Sequence, residues 1–295
     1  YPTTQNEPDF TLGPLTRLIV WWNSMAFTPR EMARFLGSSL GPLMRSAHPH
    51  VKILVGDDQR KNMNAYLSAA LADAQASKYV DGAGFHWYAT AALSWIFPWA
   101  PWAGINLASG WKRVAEATDR DPSLEYISTE ITEGFEPSER GPRIGEWLRL
   151  ERFAYGIIRD MQAGSMGLID WNLVLDHNGG PNWAGNQCDA AILLSADGES
   201  FWKQPMYYAM AHFSRFVPAG SRVAAIEPVE VGGDRFLGCA ACIDIVGFVT
   251  PDKLAVVVVL NRDEEEHCIS LTIAEEHDVR ACVSAHSLHT MVWHV

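Results

Sequence analysis

Val51-Lys52-Ile53-Leu54-Val55-Gly56-Asp57-Asp58-Gln59-Arg60 is a short apolar run that breaks into a polar cluster, and an alanine-rich stretch from Asn62 to Lys78 follows it. The run has the length and β-branched content of a buried strand, and the alanine-rich stretch has the composition of a helix. Tyr79 to Tyr88 then reads as a second strand, closing with His86-Trp87-Tyr88. Strand, helix and strand in that order make a parallel pair joined by a crossover, the repeating unit of open α/β sheets and (β/α)8 barrels.

The same alternation continues outward. Downstream come a short helix near Lys112 to Thr118, a strand from Leu124 to Glu130, and a helical spacing of apolar residues across Gly141 to Met161 ended by Gly164. Gly167-Leu168-Ile169-Asp170-Trp171 is one more strand, and Gln204 to Phe216 is the last helix of this kind. Upstream, Thr28-Pro29-Arg30-Glu31 supplies a capping residue, a first-turn proline and a reciprocal glutamate, so a helix is expected from there toward Ser46. Before it stands Thr4-Gln5-Asn6-Glu7-Pro8, the end of a strand most of which is absent, since the chain begins at Tyr1 and not at Met. Beyond Pro218 the pattern changes to short strands without helices: Arg222 to Ile226, Arg235 to Val249, Leu254 to Leu260, Cys268 to Ile273 and His289 to Trp293. That is the signature of a β-sandwich. The expected fold is α/β, a partial (β/α)8 barrel over residues 1–216 followed by an all-β sandwich over residues 217–295.

A chain of 295 residues with 48% apolar and 20% charged residues can bury a large core. Its formal charge of -12 disfavours nucleic acid as a partner and predicts repulsion from anionic membranes at neutral pH. Ten histidines offset much of that charge near about pH 5. No apolar run approaches the roughly 18 residues of a transmembrane span. There is no Asn-x-Ser/Thr sequon. Five cysteines, Cys188, Cys239, Cys242, Cys268 and Cys282, form an odd set without a regular framework and do not define the compartment. Cys239-Ala-Ala-Cys242 has redox or zinc-knuckle spacing, but no second ligand pair follows it. Glu264-Glu265-Glu266 reads as a solvated turn.

Two carboxylates stand at the ends of short runs that read as strands, Glu7 after Asn6 and Glu130 after Ile127-Ser128-Thr129. In a barrel the functional groups sit where strands end, so residues far apart in sequence converge on one cleft. Two carboxyls about 5 Å apart across an anomeric carbon are what hydrolysis of a glycosidic bond with retention requires, one neutral and one ionised. Asn6 is placed to hydrogen-bond the neighbouring sugar hydroxyl. Each glutamate also has a plain reading as an ion-paired surface residue. Asp57-Asp58-Gln59-Arg60 reads equally as a structural charge network, and His86 as a hydrogen-bonded core histidine rather than a proton shuttle. The segment from Ser94 to Trp111 holds four tryptophans and two prolines with little periodicity, the pattern of a loop.

Asn6-Glu7-Pro8, GDDQR at 56–60, HWY at 86–88, STE at 128–130, DWNLVLDHNGGPNWAGN at 170–186 and KQPMYYAMAHFSRFVPAGS at 203–221 resemble the acid β-glucosidases, or glucosylceramidases, of glycoside hydrolase family 30. VVVVLNR at 256–262 and SLHTMVW at 287–293 resemble that family's β-sandwich. The resemblance implies strands 4 to 8 of the barrel, with Glu7 as acid/base at the end of the fourth and Glu130 as nucleophile at the end of the seventh. It implies that Asn6 contacts the sugar 2-hydroxyl, that Tyr88 stands beside the nucleophile, and that Trp171 and Asn186 line the glucose pocket. Trp171 offers an apolar face to a sugar ring, and Tyr88 can donate a hydrogen bond to a carboxylate; the plain reading of both is a packed core aromatic.

The implied activity is hydrolysis of glucosylceramide to glucose and ceramide with no cofactor and no metal. A saposin-type activator and an anionic lipid surface are the implied partners, and the implied location is lysosomal or secreted. Trp95, Trp99 and Trp102 read either as contacts to lipid or as a self-packed loop. The family's first three strands have no counterpart here, so the expectation is a fragment of a longer protein, the alternative being a catalytically dead product whose open sheet edge favours aggregation. Two other readings stand beside the main one: a different family 30 specificity, such as a β-1,6-glucanase or xylanase, and a non-catalytic sugar- or lipid-binding protein.

Overall fold

A computed structural model describes residues 1–9, 24–88, 109–136, 139–226, 242–273 and 277–295. Trp95, Trp99, Trp102 and Cys239, with most of the tryptophan-rich segment and the first part of the strand expected from Arg235, lie outside the described residues. The chain forms two compact units. One comprises Tyr1–Gly141, Ala163–Asn172 and Pro181–Cys188; the other comprises Pro142–Gln162, Leu173–Gly180 and Asp189–Val295.

The first unit is built on four strands in chain order: β1 (Leu54–Gln59), β2 (Gly82–His86), β3 (Glu125–Ile131) and β4 (Leu168–Asp170). All neighbouring pairs are parallel. Thr3 makes a parallel bridge to Leu54, so the segment that leads to Glu7 runs alongside β1. Helices α1 (Pro29–Phe35) and α2 (Gly41–Ala47) precede β1, α3 (Arg60–Ala72) joins β1 to β2, and α4 (Ser109–Arg120) precedes β3. This is the expected part of a (β/α)8 barrel. Every residue of β1 and β2 is buried, as parallel strands covered on both faces must be.

Local chemistry moved several boundaries. The strand expected from Val51 enters the ladder only at Leu54 and extends through Gly56-Asp57-Asp58-Gln59, where the Asp57 carboxylate finds His86 and Thr129 on the next two strands and Asp58 finds Asp9 N and Asn62. The capping box at Thr28 and Glu31 is formed, with Thr28 N donating to Glu31 Oε2 at 2.9 Å and Glu31 N to Thr28 Oγ1 at 3.3 Å. The helix it starts is interrupted, since Leu36–Leu40 winds as a π-turn. Pro42 has no N–H to give to Ser38, and a widened turn absorbs the missing rung. Gly41 is required there by close approach, because a Cβ would stand 2.3 Å from Tyr79 Cγ.

In the second unit, α5 (Trp147–Gln162) is largely buried and packs against α6 (Pro205–Ser214). Arg149 and Asp189, both fully buried, form an ion pair, and Asp189 also accepts from Ala190 N at 2.9 Å and Gln204 Nε2 at 3.1 Å. A small sheet joins β5 (Val174–Leu175), β6 (Ile192–Leu194) and β7 (Phe201–Lys203), which the sequence pattern did not reveal.

The sandwich follows. Strands β8 (Arg222–Ala224), β9 (Ile243–Val249), β10 (Leu254–Asn261) and β13 (Ser287–His294) form one antiparallel sheet, and β11 (His267–Ile273) pairs with β12 (His277–Val283). Its core joins the two: Ile243, Val257, Val259 and Val283 are buried together, with Ile269, Leu271, Met291 and Trp293 packed against them. Cys268 and Cys282, paired across β11 and β12, form a disulfide, and Cys242 is disulfide-bonded as well. Among the described residues, no helix is long and apolar enough to cross a membrane.

Candidate active site

Two bulges on adjacent strands shape the ends of β1 to β3. Between β1 and β2 the register steps from Gly56 opposite Gly84 to Asp58 opposite Phe85, so Asp57 is the extra residue, held at a φ of 62°. Between β2 and β3 it steps from Phe85 opposite Ser128 to His86 opposite Glu130, so Thr129 is extra. Bulges re-aim side chains at the cost of one ladder position. Here the two displaced residues meet, Thr129 Oγ1 donating to Asp57 Oδ1 at 2.6 Å. Thr3 Oγ1 donates to Asp57 Oδ2 at 2.5 Å. Gly84 makes room for this contact, since a Cβ there would lie 2.9 Å from Thr129 Cγ2.

His86, with no exposed surface, stands at the centre. Its Nε2 is 3.1 Å from Asp57 Oδ1, while its Nδ1 lies 3.5 Å from Glu7 Oε1 and 3.9 Å from Glu130 Oε1. One oxygen each of Glu7 and Glu130 and a ring nitrogen of His86 lie within 4.8 Å of one another. Glu7 N donates to Asp57 O at 2.9 Å, and Gln59 Nε2 reaches Glu7 Oε1 at 3.2 Å. Glu7 adopts a φ of 45°, a conformation that side-chain-bearing residues rarely take and that clusters at functional positions.

The charges are unevenly poised. Burial pushes the Glu130 carboxyl up to about 7, the charges of Glu7 and Asp57 add to the rise, and His86 and the Tyr88 hydroxyl pull against it. Burial works against a charged His86, but Glu130, Asp57 and Glu7 outweigh it and hold the ring protonated well above its usual range. For Asp57, burial is offset by the hydrogen bonds from His86, Thr129 and Thr3, and its pKa falls. An anion, a cation and a carboxyl that keeps its proton to about 7 thus share one cleft. A proton held by this pair can be delivered by one carboxyl while the other, once ionised, attacks as nucleophile.

Tyr88 is buried just past β2, its ring edge-on to His86 at 6.0 Å and to Phe135 at 4.7 Å between centroids. Its hydroxyl approaches Glu130 closely enough to lower that carboxyl's pKa without completing a hydrogen bond of ordinary geometry. Asn6 immediately precedes Glu7, and its carbonyl accepts from Ser24 Oγ at 3.0 Å. Trp171, 39% exposed, follows β4 and donates its backbone N–H to Ile131 O at 2.8 Å, beside the strand end that carries Glu130. Asn186 sits in a loop closed by Asn182, whose Nδ2 donates to Asn186 O at 2.6 Å. Cys188, two residues on, is near enough to Tyr88 to affect its ionisation. The structure therefore draws Glu7, Glu130 and Tyr88 around His86 and sets Asn6 and Trp171 next to them in the chain and sheet.

The glycosyl hydrolase family 30 TIM-barrel domain matches residues 2–217, and the family 30 beta sandwich domain matches residues 238–291. The chain belongs to glycosyl hydrolase family 30. This family 30 chain is 31% identical over 291 residues to the lysosomal acid glucosylceramidase of Mus musculus, covering 99% of the chain and 51% of that protein. It is 32% identical over 264 residues to putative glucosylceramidase 4 of Caenorhabditis elegans, covering 89% of the chain and 45% of that protein. The chain thus spans about half the length of the curated relatives it matches. In fold it is similar to SrfJ from Salmonella typhimurium, with a TM-score of 0.77 and 23% identity over 99% of this chain and 57% of that one.

Sequence reasoning placed three residues around the two glutamates only coarsely. His86 read as a core histidine because one histidine in a strand of apolar and small residues carries no periodic signal. Asp57 read as part of a charge network with Asp58, Gln59 and Arg60; in the structure His86, Thr129 and Thr3 bond to it, and Arg60 donates to Trp87 O at 3.0 Å with its guanidinium 4.8 Å from the centre of the Trp111 ring. Gln59 read only as a member of that network, whereas its Nε2 reaches Glu7 Oε1 at 3.2 Å. The signal that would have found it is its place one strand end away from Glu7.

Proposed function

We propose that this family 30 chain supplies both catalytic carboxyls of a retaining β-glucosidase acting on glucosylceramide. The observation that supports it most is the approach of Glu7 and Glu130 oxygens to within 4.8 Å, the range of carboxyl pairs that work with retention rather than inversion. Glu7 protonates the glycosidic oxygen as Glu130 attacks the anomeric carbon. The resulting glucosyl ester is hydrolysed by a water that Glu7 deprotonates. His86, cationic and fixed by Asp57, favours the ionised form of either carboxyl as the proton moves between them. Asn6 binds the sugar 2-hydroxyl, Tyr88 steadies the Glu130 carboxylate, and Trp171 and Asn186 form the wall and rim of the glucose pocket.

The substrate reading draws on the glucosylceramidase names of the two relatives above. A lysosomal or secreted location agrees with the Cys268–Cys282 disulfide, a bond kept in oxidising compartments. A saposin-type activator and an anionic lipid surface complete the reading, with residues 1–216 as catalytic domain and 217–295 as sandwich domain. The test is covalent labelling of the protein from its source with a mechanism-based glucosyl inhibitor, followed by peptide mapping. Label on Glu130, lost in Glu130→Gln, is the expected result; label elsewhere removes the assignment. Turnover of β-1,6-glucan or xylan with none of glucosylceramide would move the substrate to another family 30 class.

A further inference from the structure

The trio of Glu7, His86 and Glu130 has a second chemistry. We propose that these three side chains form a zinc-binding site, and that a bound zinc ion blocks the carboxyls the glycosidase reaction uses.

The geometry carries the argument. Two ligand atoms bound to a tetrahedral zinc at about 2.1 Å stand about 3.4 Å apart. His86 Nδ1 already lies 3.5 Å from Glu7 Oε1 and 3.9 Å from Glu130 Oε1, and all three atoms fall within 4.8 Å of one another. Nδ1 is buried, aimed between the two carboxyls, and without a hydrogen-bond partner of ordinary geometry among the described residues. Behind it, Nε2 faces Asp57 Oδ1 at 3.1 Å, and Asp57 is itself fixed by Thr3 and Thr129. A carboxylate behind a histidine orients the ring and keeps the proton on the nitrogen it faces, so that Nδ1, on losing its own proton, is the nitrogen offered to a metal. Glu130 keeps 22% of its side chain exposed, so the fourth position opens to the cleft and to water. On binding, the proton carried by Nδ1 leaves to solvent, and one divalent ion faces the two glutamates.

Isothermal titration of the purified chain with zinc chloride tests this directly, with circular dichroism to show that each variant is folded. One ion bound per chain is expected, with Glu130→Gln weakening binding by at least about tenfold. Asp57→Asn, which leaves all three ligands in place, is expected to weaken it by about 10–100-fold, as loss of the group behind a ligating histidine does. Unchanged affinity in both variants, or binding abolished instead by His48→Ala with His50→Ala on the surface, overturns the proposal, as does absence of binding at millimolar zinc. The binding claim is independent of the glycosidase reading. Only the blockade rests on it, read as protection of Glu130 from the glucosyl label by zinc; zinc bound without any labelling in its absence would leave the site standing and remove the reaction.

Discussion

Glu130 ties stability to acidity. Its carboxyl is raised from 4.5 to about 7 by burial first and by the charges of Glu7 and Asp57 next. A carboxyl whose pKa rises on folding leaves stability intact below its unfolded value and removes it as pH climbs through the folded one, here between 4.5 and about 7. Glu130→Gln deletes that loss. The variant is expected to be more stable than the parent by about 2–3 kcal/mol at about pH 8 and no different near pH 4, as urea midpoints at the two pH values will show. The proton that Glu130 shares with Glu7 also sets activity: if the pair must hold one proton to work, kcat/KM declines as pH rises above about 7, and a profile still climbing there contradicts the assignment. Both glutamates stood out in the sequence as carboxylates at the ends of runs that read as strands. His86 read as a hydrogen-bonded core histidine, and the sequence carried no sign of what surrounds it, because that depends on two bulges and three carboxyls from other strands.

At the scale of elements, the bulges explain what pattern reading could not supply. Alternation locates a strand but not an extra residue in it, so Asp57 and Thr129 looked like ordinary strand positions. Gly84 is the residue that lets them meet. Gly84→Ala forces Thr129 or the strand to shift, and it is expected to destabilise the protein by about 1–3 kcal/mol and slow labelling of Glu130. A variant with unchanged unfolding midpoint and unchanged labelling rate would show that the contact has slack. In the sandwich, β12 escaped notice because its apolar signal is weak, yet it holds one end of the Cys268–Cys282 bond. The two cysteines are 14 residues apart. Closing a loop of that length contributes about 3 kcal/mol, so Cys268→Ser with Cys282→Ser is expected to lower the denaturation midpoint correspondingly, and the parent to follow it under reducing conditions.

Over the whole molecule, the alternation of strands and helices followed by strands alone was enough to anticipate a partial barrel and a sandwich. The gathering of α5 and α6 with the sandwich unit was not anticipated, because it depends on polar ties invisible in a linear pattern. Arg149 with Asp189, both fully buried, anchors α5 within that unit. His286, partly exposed, reaches α5 from the sandwich: its Nδ1 meets Glu151 of α5 at 2.7 Å and its Nε2 meets Glu264 at 3.2 Å. The hydrogen bond to Glu151 is the main reason its pKa is raised. A histidine raised on folding lends its stability below the unfolded value and withdraws it as pH passes the folded one. His286→Gln should therefore lower the thermal midpoint at about pH 5 and leave it unchanged near pH 9, where both forms are neutral. An equal loss at both values would assign His286 to packing instead.

The left-handed backbone at Glu7 and Asp57 bears on how variants of this protein would be sorted. Glycine takes that conformation at no steric cost, so a library screened only for survival of heating would accumulate glycine at both positions and glutamine at 130. Such a screen would enrich steadily for folded proteins without catalysis, and only a screen that also demands turnover would keep the three acidic residues.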